Sequence, residues 1–205
     1  MWLYTSMLPF TKSKFETSTA KNNQKIQKLI NDLQSGDLKK IGQTLKLLKS
    51  EGSVDALRPL AELLMRSKDE SIQQDVIAFL SDLNVSSAVD ELMNLLKDEN
   101  LLAIRQQLLT TIWNSKLDYS YYLPEFVEIA VDGDFMEALE CLTIIENMEG
   151  PFEERHILES QLHLKDYLED SAPKNPQKAQ IMSEIALIVK DYTNFDEEDI
   201  SLFNN

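Results

Sequence analysis

Residues 54–61 read VDALRPLA, and residues 89–96, which lie 35 positions further along the chain, read VDELMNLL. In both stretches the aliphatic residues recur at spacings of three and four, the spacing of one face of an α-helix. The preceding stretches match as well, because residues 41–48 share their aliphatic positions with residues 76–83 at the same offset. Self-similarity at this period, carried by helical spacing, is typical of helical-repeat proteins.

The repeat extends in the C-terminal direction with small changes of offset. Residues 89–96 match residues 123–130 at an offset of 34, and residues 72–80 match residues 104–112 at an offset of 32. Varying offsets indicate turns of variable length between helices of constant pattern. The sequence therefore predicts an all-α fold, an α-α superhelix of about four two-helix units. The predicted units are residues 37–67, 68–99, 100–133 and 134–170.

Helices flank this array at both ends. The end units of a repeat array expose an apolar face unless another element covers it. Residues 22–34 and 177–192 carry aliphatic stripes at helical spacing, so we predict that they are capping helices and that residues 22–192 form one domain. Residues 1–21 are predicted to be a flexible basic segment, with either Met1 or Met7 as the start of the protein. Residues 193–205 are predicted to be an acidic tail.

Turn residues occur where the units require them. The glycine-containing turns at residues 35–37, 51–53, 132–134 and 149–151 combine glycine with Asp, Ser, Glu or Pro. Asp and Ser at such positions favour the start of a following helix, because their side chains accept hydrogen bonds from its first free N–H groups. Pro59 and Pro124 fall in the first turns of predicted helices, where a missing N–H costs little.

The unit resembles a HEAT-type repeat in its short bacterial form. The resemblance covers residues 37–170 and is carried by first helices such as IRQQL at 104–108, by second helices that open on an apolar-x-Pro or an apolar-Asp pattern, and by the linker KDE at 97–99. The spacing of 32 to 35 residues is shorter than that of long HEAT units and close to those of tetratricopeptide and ankyrin repeats. However, the signature motifs of those two families are absent. The resemblance implies an armadillo-type superhelix that acts as a scaffold or adaptor.

Charge is distributed unevenly along the chain, whose net charge is −15. Residues 1–50 have a net charge of +6, whereas residues 125–170 have a net charge of −12. Phosphate binding depends on neutralisation by Lys and Arg, so we expect no nucleic-acid contact along the array. The sequence has no apolar run long enough to span a membrane and no positive charge ahead of the apolar residues 2–10, so we expect a cytoplasmic protein without membrane association.

Two features distinguish the predicted units from one another. The third unit has a turn rich in aromatic residues, and the fourth unit is strongly acidic. Trp and Tyr are the residues that most often anchor protein interfaces, and acidic surfaces attract basic partners. In a second interpretation, Trp113 and Tyr122 fill the turn between two helices and the acidic residues form a solvated face. The candidate partner-binding residues are Trp113, Tyr119, Tyr121, Tyr122, Glu125, Glu128, Glu153 and Glu154.

Catalytic and metal-binding patterns are weak in this sequence. His156, Glu159 and His163 share a helical face, but two turns separate the histidines, about 10 Å along the axis, which is too far for one ion. Cys141 lies within an apolar stripe and is expected to be a core residue. We therefore expect no cofactor, no metal and no catalytic residue.

Three functional hypotheses follow. The first is a non-catalytic scaffold that binds a protein partner, expected to be basic, on its helical-repeat surface. The second is an enzyme or an enzyme accessory, because some relatives of the short repeat resemble bilin lyase subunits and some HEAT-like folds are DNA glycosylases. Charge disfavours the glycosylase, and the lack of a usable Cys or His cluster disfavours the lyase. The third is a protein that is monomeric or assembles weakly head to tail through its oppositely charged ends.

Overall fold

Helices account for all regular secondary structure in the part of the chain that can be described. A computed structural model describes the backbone of residues 12–51 and 54–202, and the side chains of residues 23–49 and 54–192. No strand occurs within these ranges, so the prediction of an all-α fold is confirmed. The helices are α1 (Lys12–Leu33), α2 (Leu38–Glu51), α3 (Leu57–Arg66), α4 (Glu70–Ser81), α5 (Ala88–Leu96), α6 (Arg105–Asn114), α7 (Leu123–Asp132), α8 (Phe135–Glu146), α9 (Glu154–Glu169) and α10 (Pro176–Leu202).

Helix ends lie where turn chemistry predicts them. Asp37 begins α2, because its side chain accepts hydrogen bonds from the backbone N–H groups of Lys39 and Lys40. Asp134 begins α8 through a reciprocal capping box with Glu137. After α1, Gly36 has a φ of 73°, a left-handed conformation that glycine adopts without steric cost. Short 3-10 turns precede α3, α6 and α7 at Val54–Ala56, Glu99–Ile104 and Ser120–Tyr122.

The terminal helices are longer than the predicted caps. Helix α1 begins at Lys12 rather than at residue 22, and α10 continues to Leu202 rather than ending at residue 192. No proline or glycine lies between Pro9 and Gly36 or after Pro176, so no residue type interrupts either helix. Part of the predicted flexible segment, residues 1–11, lies outside the described residues, as do residues 52–53 and 203–205 and the side chains of the predicted tail.

Contacts between helices arrange them in two rows. In the even row α2 packs on α4, α4 on α6, α6 on α8 and α8 on α10, whereas in the odd row α1 packs on α3, α3 on α5 and α7 on α9. Among helices consecutive in the chain, the closest packing joins α1 to α2, α3 to α4, α7 to α8 and α9 to α10. The tightest pairs therefore begin one helix earlier than the predicted units, and the two predicted caps are members of the first and last pairs.

A continuous apolar core lies between the rows. It runs from Ile26 in α1 through Leu60, Leu96 and Phe126 to Val189 in α10, and consists mainly of the aliphatic stripes that defined the repeat. Burial of these stripes is the main favourable contribution to the stability of the helices, which are individually short. In the described part of the chain, none of the helices is long and apolar enough to cross a membrane.

Candidate functional site

The eight candidate residues do not form one surface. One of them is buried in the core, one lies in the even row, and the remaining six lie along the odd row at or near the N-terminal ends of α7 and α9. This distribution follows from the turn between α6 and α7, which crosses from the even row to the odd row. Residues adjacent in sequence along the turn therefore reach different parts of the molecule.

Tyr119 is a core residue rather than a surface residue. Only 4% of it is exposed, and its ring makes an edge-to-face contact with Phe126 at 6.0 Å between centroids. Burial raises the pKa of its hydroxyl to about 12. Its side chain contributes no area to a partner surface, because the turn folds it beneath α7.

Tyr121 and Tyr122 link neighbouring helices of the odd row. The Tyr122 hydroxyl donates a hydrogen bond of 2.6 Å to Asp90 of α5, and this contact, together with burial, raises its pKa to about 12. Tyr121 makes edge-to-face contacts with Tyr122 and with His156 of α9. Arg155 lies 5.6 Å from the Tyr121 ring centroid and donates a hydrogen bond to its hydroxyl. Even so, 55% of Tyr121 remains exposed.

The four candidate carboxylates differ in their surroundings. Glu125 is half-buried and forms a 3.1 Å ion pair with Lys97 at the end of α5. Glu153 pairs with Arg155 at 2.7 Å, although both side chains are largely exposed. Glu128 and Glu154 are exposed on α7 and α9. Together with Tyr121 and Tyr122, these four residues form what we call the odd-row face.

Trp113 lies in the even row, at the end of α6. Its indole N–H donates a 2.9 Å hydrogen bond to Glu140 of α8, and the ring is partly exposed. It lines an open cleft of about 470 Å³ between the turn after α6 and the turn after α8. The walls include Lys116, Asn147 and Met148, a mixture of charged, polar and apolar side chains without a dominant chemistry.

Inter-helix polar contacts recur at the spacing of the repeat, and the aliphatic pattern of the sequence does not predict them. Stacked helices place equivalent positions side by side, so contacting residues are separated by one unit. Asp90–Tyr122 and Arg105–Glu137 are both separated by 32 residues, Lys49–Asp82 by 33 and Tyr121–Arg155 by 34. A search for complementary side chains at the repeat offset would have predicted these contacts.

The most buried of these contacts joins α6 to α8. Arg105 donates two hydrogen bonds to the Glu137 carboxylate, at 2.7 Å from Nε and 2.8 Å from Nη2. The Glu137 hydrogen bond raises the pKa of the guanidinium. Glu137 also accepts a hydrogen bond from the Asp134 backbone N–H, so a single carboxylate both joins two helices and completes the start of α8.

The groups considered for chemistry are dispersed. Cys141 is fully buried, which raises the pKa of its thiol, so its thiolate is not available near neutral pH. His156 is buried against Tyr121, whereas Glu159 on the same helix is exposed. Among the residues whose side chains are described, no three His, Cys, Asp or Glu residues are placed to hold a metal ion.

Comparisons with known proteins identify no relative. The chain matches no protein-family model, no curated protein and no solved structure.

Proposed function

We propose that this protein is a non-catalytic scaffold built as a HEAT-like solenoid. The repeated helical pattern over residues 37–170 and the two rows of stacked helices support this architecture. In such an array each helix pair contacts mainly its neighbours, and the rows form extended surfaces. Extended surfaces of this kind serve recognition, because they offer many side chains on a rigid support.

The odd-row face is the binding surface in this proposal. The observation that carries it is Tyr121, a largely exposed aromatic residue whose ring is held on two sides by Tyr122 and His156. A ring already fixed in position loses little conformational entropy when a partner covers it. Exposed aromatic residues that are pre-positioned in this way are the usual anchors of protein interfaces.

The chemistry of the face indicates a basic protein partner. Glu128 and Glu154 present exposed carboxylates on the helices that flank Tyr121, whereas Lys97 and Arg155 are already engaged by Glu125 and Glu153. The surrounding residues 125–170 have a net charge of −12, which attracts cationic partners and repels nucleic acid. We infer that the scaffold acts in the cytoplasm and without a cofactor.

The surroundings of Cys141 and His156 support a non-catalytic role over the lyase-like alternative. A nucleophilic thiolate requires an accessible site, whereas the Cys141 thiol is fully buried in the core. His156 is packed beneath Tyr121. Neither group is positioned to contact a substrate in this conformation.

A capture experiment with matched variants tests the proposal. The unmodified chain, Tyr121→Ala, Glu128→Lys and the control Glu146→Lys would each be used to capture proteins from a native lysate, followed by mass spectrometry. We expect basic proteins that are retained by the unmodified chain and by Glu146→Lys but lost with Tyr121→Ala and Glu128→Lys. Glu146 is also an exposed carboxylate, but it lies at the end of α8 in the even row. Equal capture by all four chains would contradict binding at the odd-row face.

A further inference from the structure

The last helix pair leaves an apolar surface uncovered. The four most exposed large hydrophobic side chains among the described residues all belong to α9 and α10, with exposed fractions between 56% and 65%. They are Leu158, Leu162, Leu168 and Leu187. Single exposed leucines are common on protein surfaces, but two that line the same groove on adjacent helices, as Leu168 and Leu187 do, are typical of an interaction site.

Leu168 and Leu187 border a groove between the two helices. The groove has a volume of about 250 Å³, and Leu164 and Met182 lie within it as buried side chains. In the rest of the array, α9 packs on α7 and α10 packs on α8. No described helix packs on α9 and α10 in the same way. The groove therefore occupies the position at which the next helix pair of a longer array would pack.

The net charges of the two ends of the array indicate which partner fits the groove between α9 and α10. Residues 12–51, which form the first helix pair, contain nine lysines and four acidic residues, a net charge of +5. Residues 154–202, which form the last pair, contain five basic and eleven acidic residues, a net charge of −6. Two last pairs brought face to face would repel each other. A last pair and a first pair attract each other, which favours head-to-tail contact.

We propose that the groove between α9 and α10 binds the first helix pair of a second copy of this chain, which gives head-to-tail assembly. Lys28 and Lys46 are exposed on α1 and α2 and contribute to the positive end. Leu47, which is 50% exposed on α2, adds apolar surface to the same end. This self-association does not depend on the odd-row face.

Variants that block one end at a time test the proposal. The tail variant carries Leu168→Asp and Leu187→Asp, and the head variant carries Lys28→Glu and Lys46→Glu. All four side chains are exposed, so circular dichroism should show unchanged helicity. The control is Leu102→Asp, an exposed leucine in the turn before α6, away from both ends. The molar mass of each chain would be measured by light scattering over a range of concentrations.

We expect the mass of the unmodified chain and of the control to rise with concentration. Each end variant alone should associate about tenfold more weakly or not at all, which corresponds to about 1.4 kcal/mol or more. A mixture of the tail and head variants should form a 1:1 complex and grow no further, because each partner retains one competent end. A concentration-independent monomer for the unmodified chain would overturn the proposal. A tail variant that associates normally on its own, or a mixture of the two end variants that forms no complex, would also overturn it.

Discussion

Two arginine–carboxylate pairs join neighbouring helix pairs at different depths. Between α6 and α8, Arg105 and Glu137 are 16% and 12% exposed and make two short hydrogen bonds. At the α3–α5 joint, Arg58 is 43% exposed and contacts Asp98 at 2.6 Å and Glu91 at 3.7 Å. The same chemistry therefore joins helices at a buried position and at a more exposed one.

Burial changes what each pair contributes to the molecule. Partners that are already desolvated leave an uncompensated charge when one of them is removed, whereas exposed partners regain water. We therefore expect the stability of the array to depend on the α6–α8 joint and to depend much less on the α3–α5 joint. The array is thus not uniform along its length, although its helical pattern repeats.

Glu137→Ala should have the largest effect. It leaves Arg105 without its carboxylate and removes one half of the capping box at the start of α8. We expect a loss of about 3 kcal/mol in the free energy of unfolding, measured by urea denaturation. Glu137→Gln, which keeps a hydrogen-bond acceptor but not the charge, should lose less. Glu146→Ala, at the exposed end of the same helix, should change the free energy of unfolding by no more than about 0.5 kcal/mol. A loss in that variant equal to the loss in Glu137→Ala would show that the effect is not specific to the buried joint.

Gly133→Ala should disturb the same α6–α8 joint, because the added methyl group would displace the Glu137 carboxylate. A Cβ at this position would lie 2.5 Å from Glu137 Oε2 and 2.7 Å from the Ile129 carbonyl oxygen, so the carboxylate would have to move. We expect a loss of about 2 kcal/mol.

Gly42→Ala is the matched control for this substitution. Apart from its chain neighbours and the backbone of its own helix, α2, no atom lies within 4 Å of the added Cβ. It should gain about 0.5 kcal/mol, because alanine restricts the unfolded chain. A destabilised Gly42→Ala chain would show that the Gly133 result is not specific to the joint.

Asp98→Asn should have a smaller effect that depends on pH. The hydrogen bond from Arg58, followed by those from Asn100, lowers the pKa of Asp98 from 3.8 to about 2. Because the folded-state pKa lies below the unfolded value, the carboxylate stabilises the fold above about pH 4 and loses this effect as the pH falls towards 2. Urea denaturation at several pH values should show the unmodified chain and the variant converging in acid. A constant difference between them would contradict this assignment.

Tyr122→Phe should have the smallest effect. It removes the hydroxyl that donates to Asp90 but keeps the ring contact with Tyr121. Because Asp90 is exposed and can bind water instead, we expect a loss of about 0.5 kcal/mol in thermal or urea unfolding. A loss as large as that of Glu137→Ala would show that exposed contacts in the odd row are as important as the buried joint.

The sequence predicts the helices more reliably than the way they pair. Aliphatic spacing and the capping residues Asp37 and Asp134 are local signals, and the helices begin where these signals indicate. The turns determine which neighbouring helices pack most closely. The turn between α7 and α8 has only two residues, and these two helices form one of the closest pairs. The predicted units divided the chain at that turn, because the repeat pattern has no intrinsic starting point.

The candidate surface was predictable only in part. Residue type alone identified Tyr121, whose exposure and neighbours suit an interface, but also Tyr119, which the same turn places in the core. Nothing in the local pattern distinguishes these two tyrosines, because the 3-10 turn at Ser120–Tyr122 sets their directions. The uncovered leucines of α9 and α10 were also missed, because the sequence of a helix does not show which of its apolar side chains another element covers.

Lys178 of α10 couples the last helix pair to the helices beneath it. Its ammonium group donates hydrogen bonds to the carbonyl oxygens of Val131 at 2.5 Å and of Gly133 at 2.6 Å, at the C-terminal end of α7. When α10 detaches, those carbonyls lose their partner at the same time as the apolar contacts with α8 are lost. The C-terminal pair should therefore open as one cooperative step, and amide hydrogen exchange in α9 and α10 should proceed together rather than residue by residue from the C-terminus.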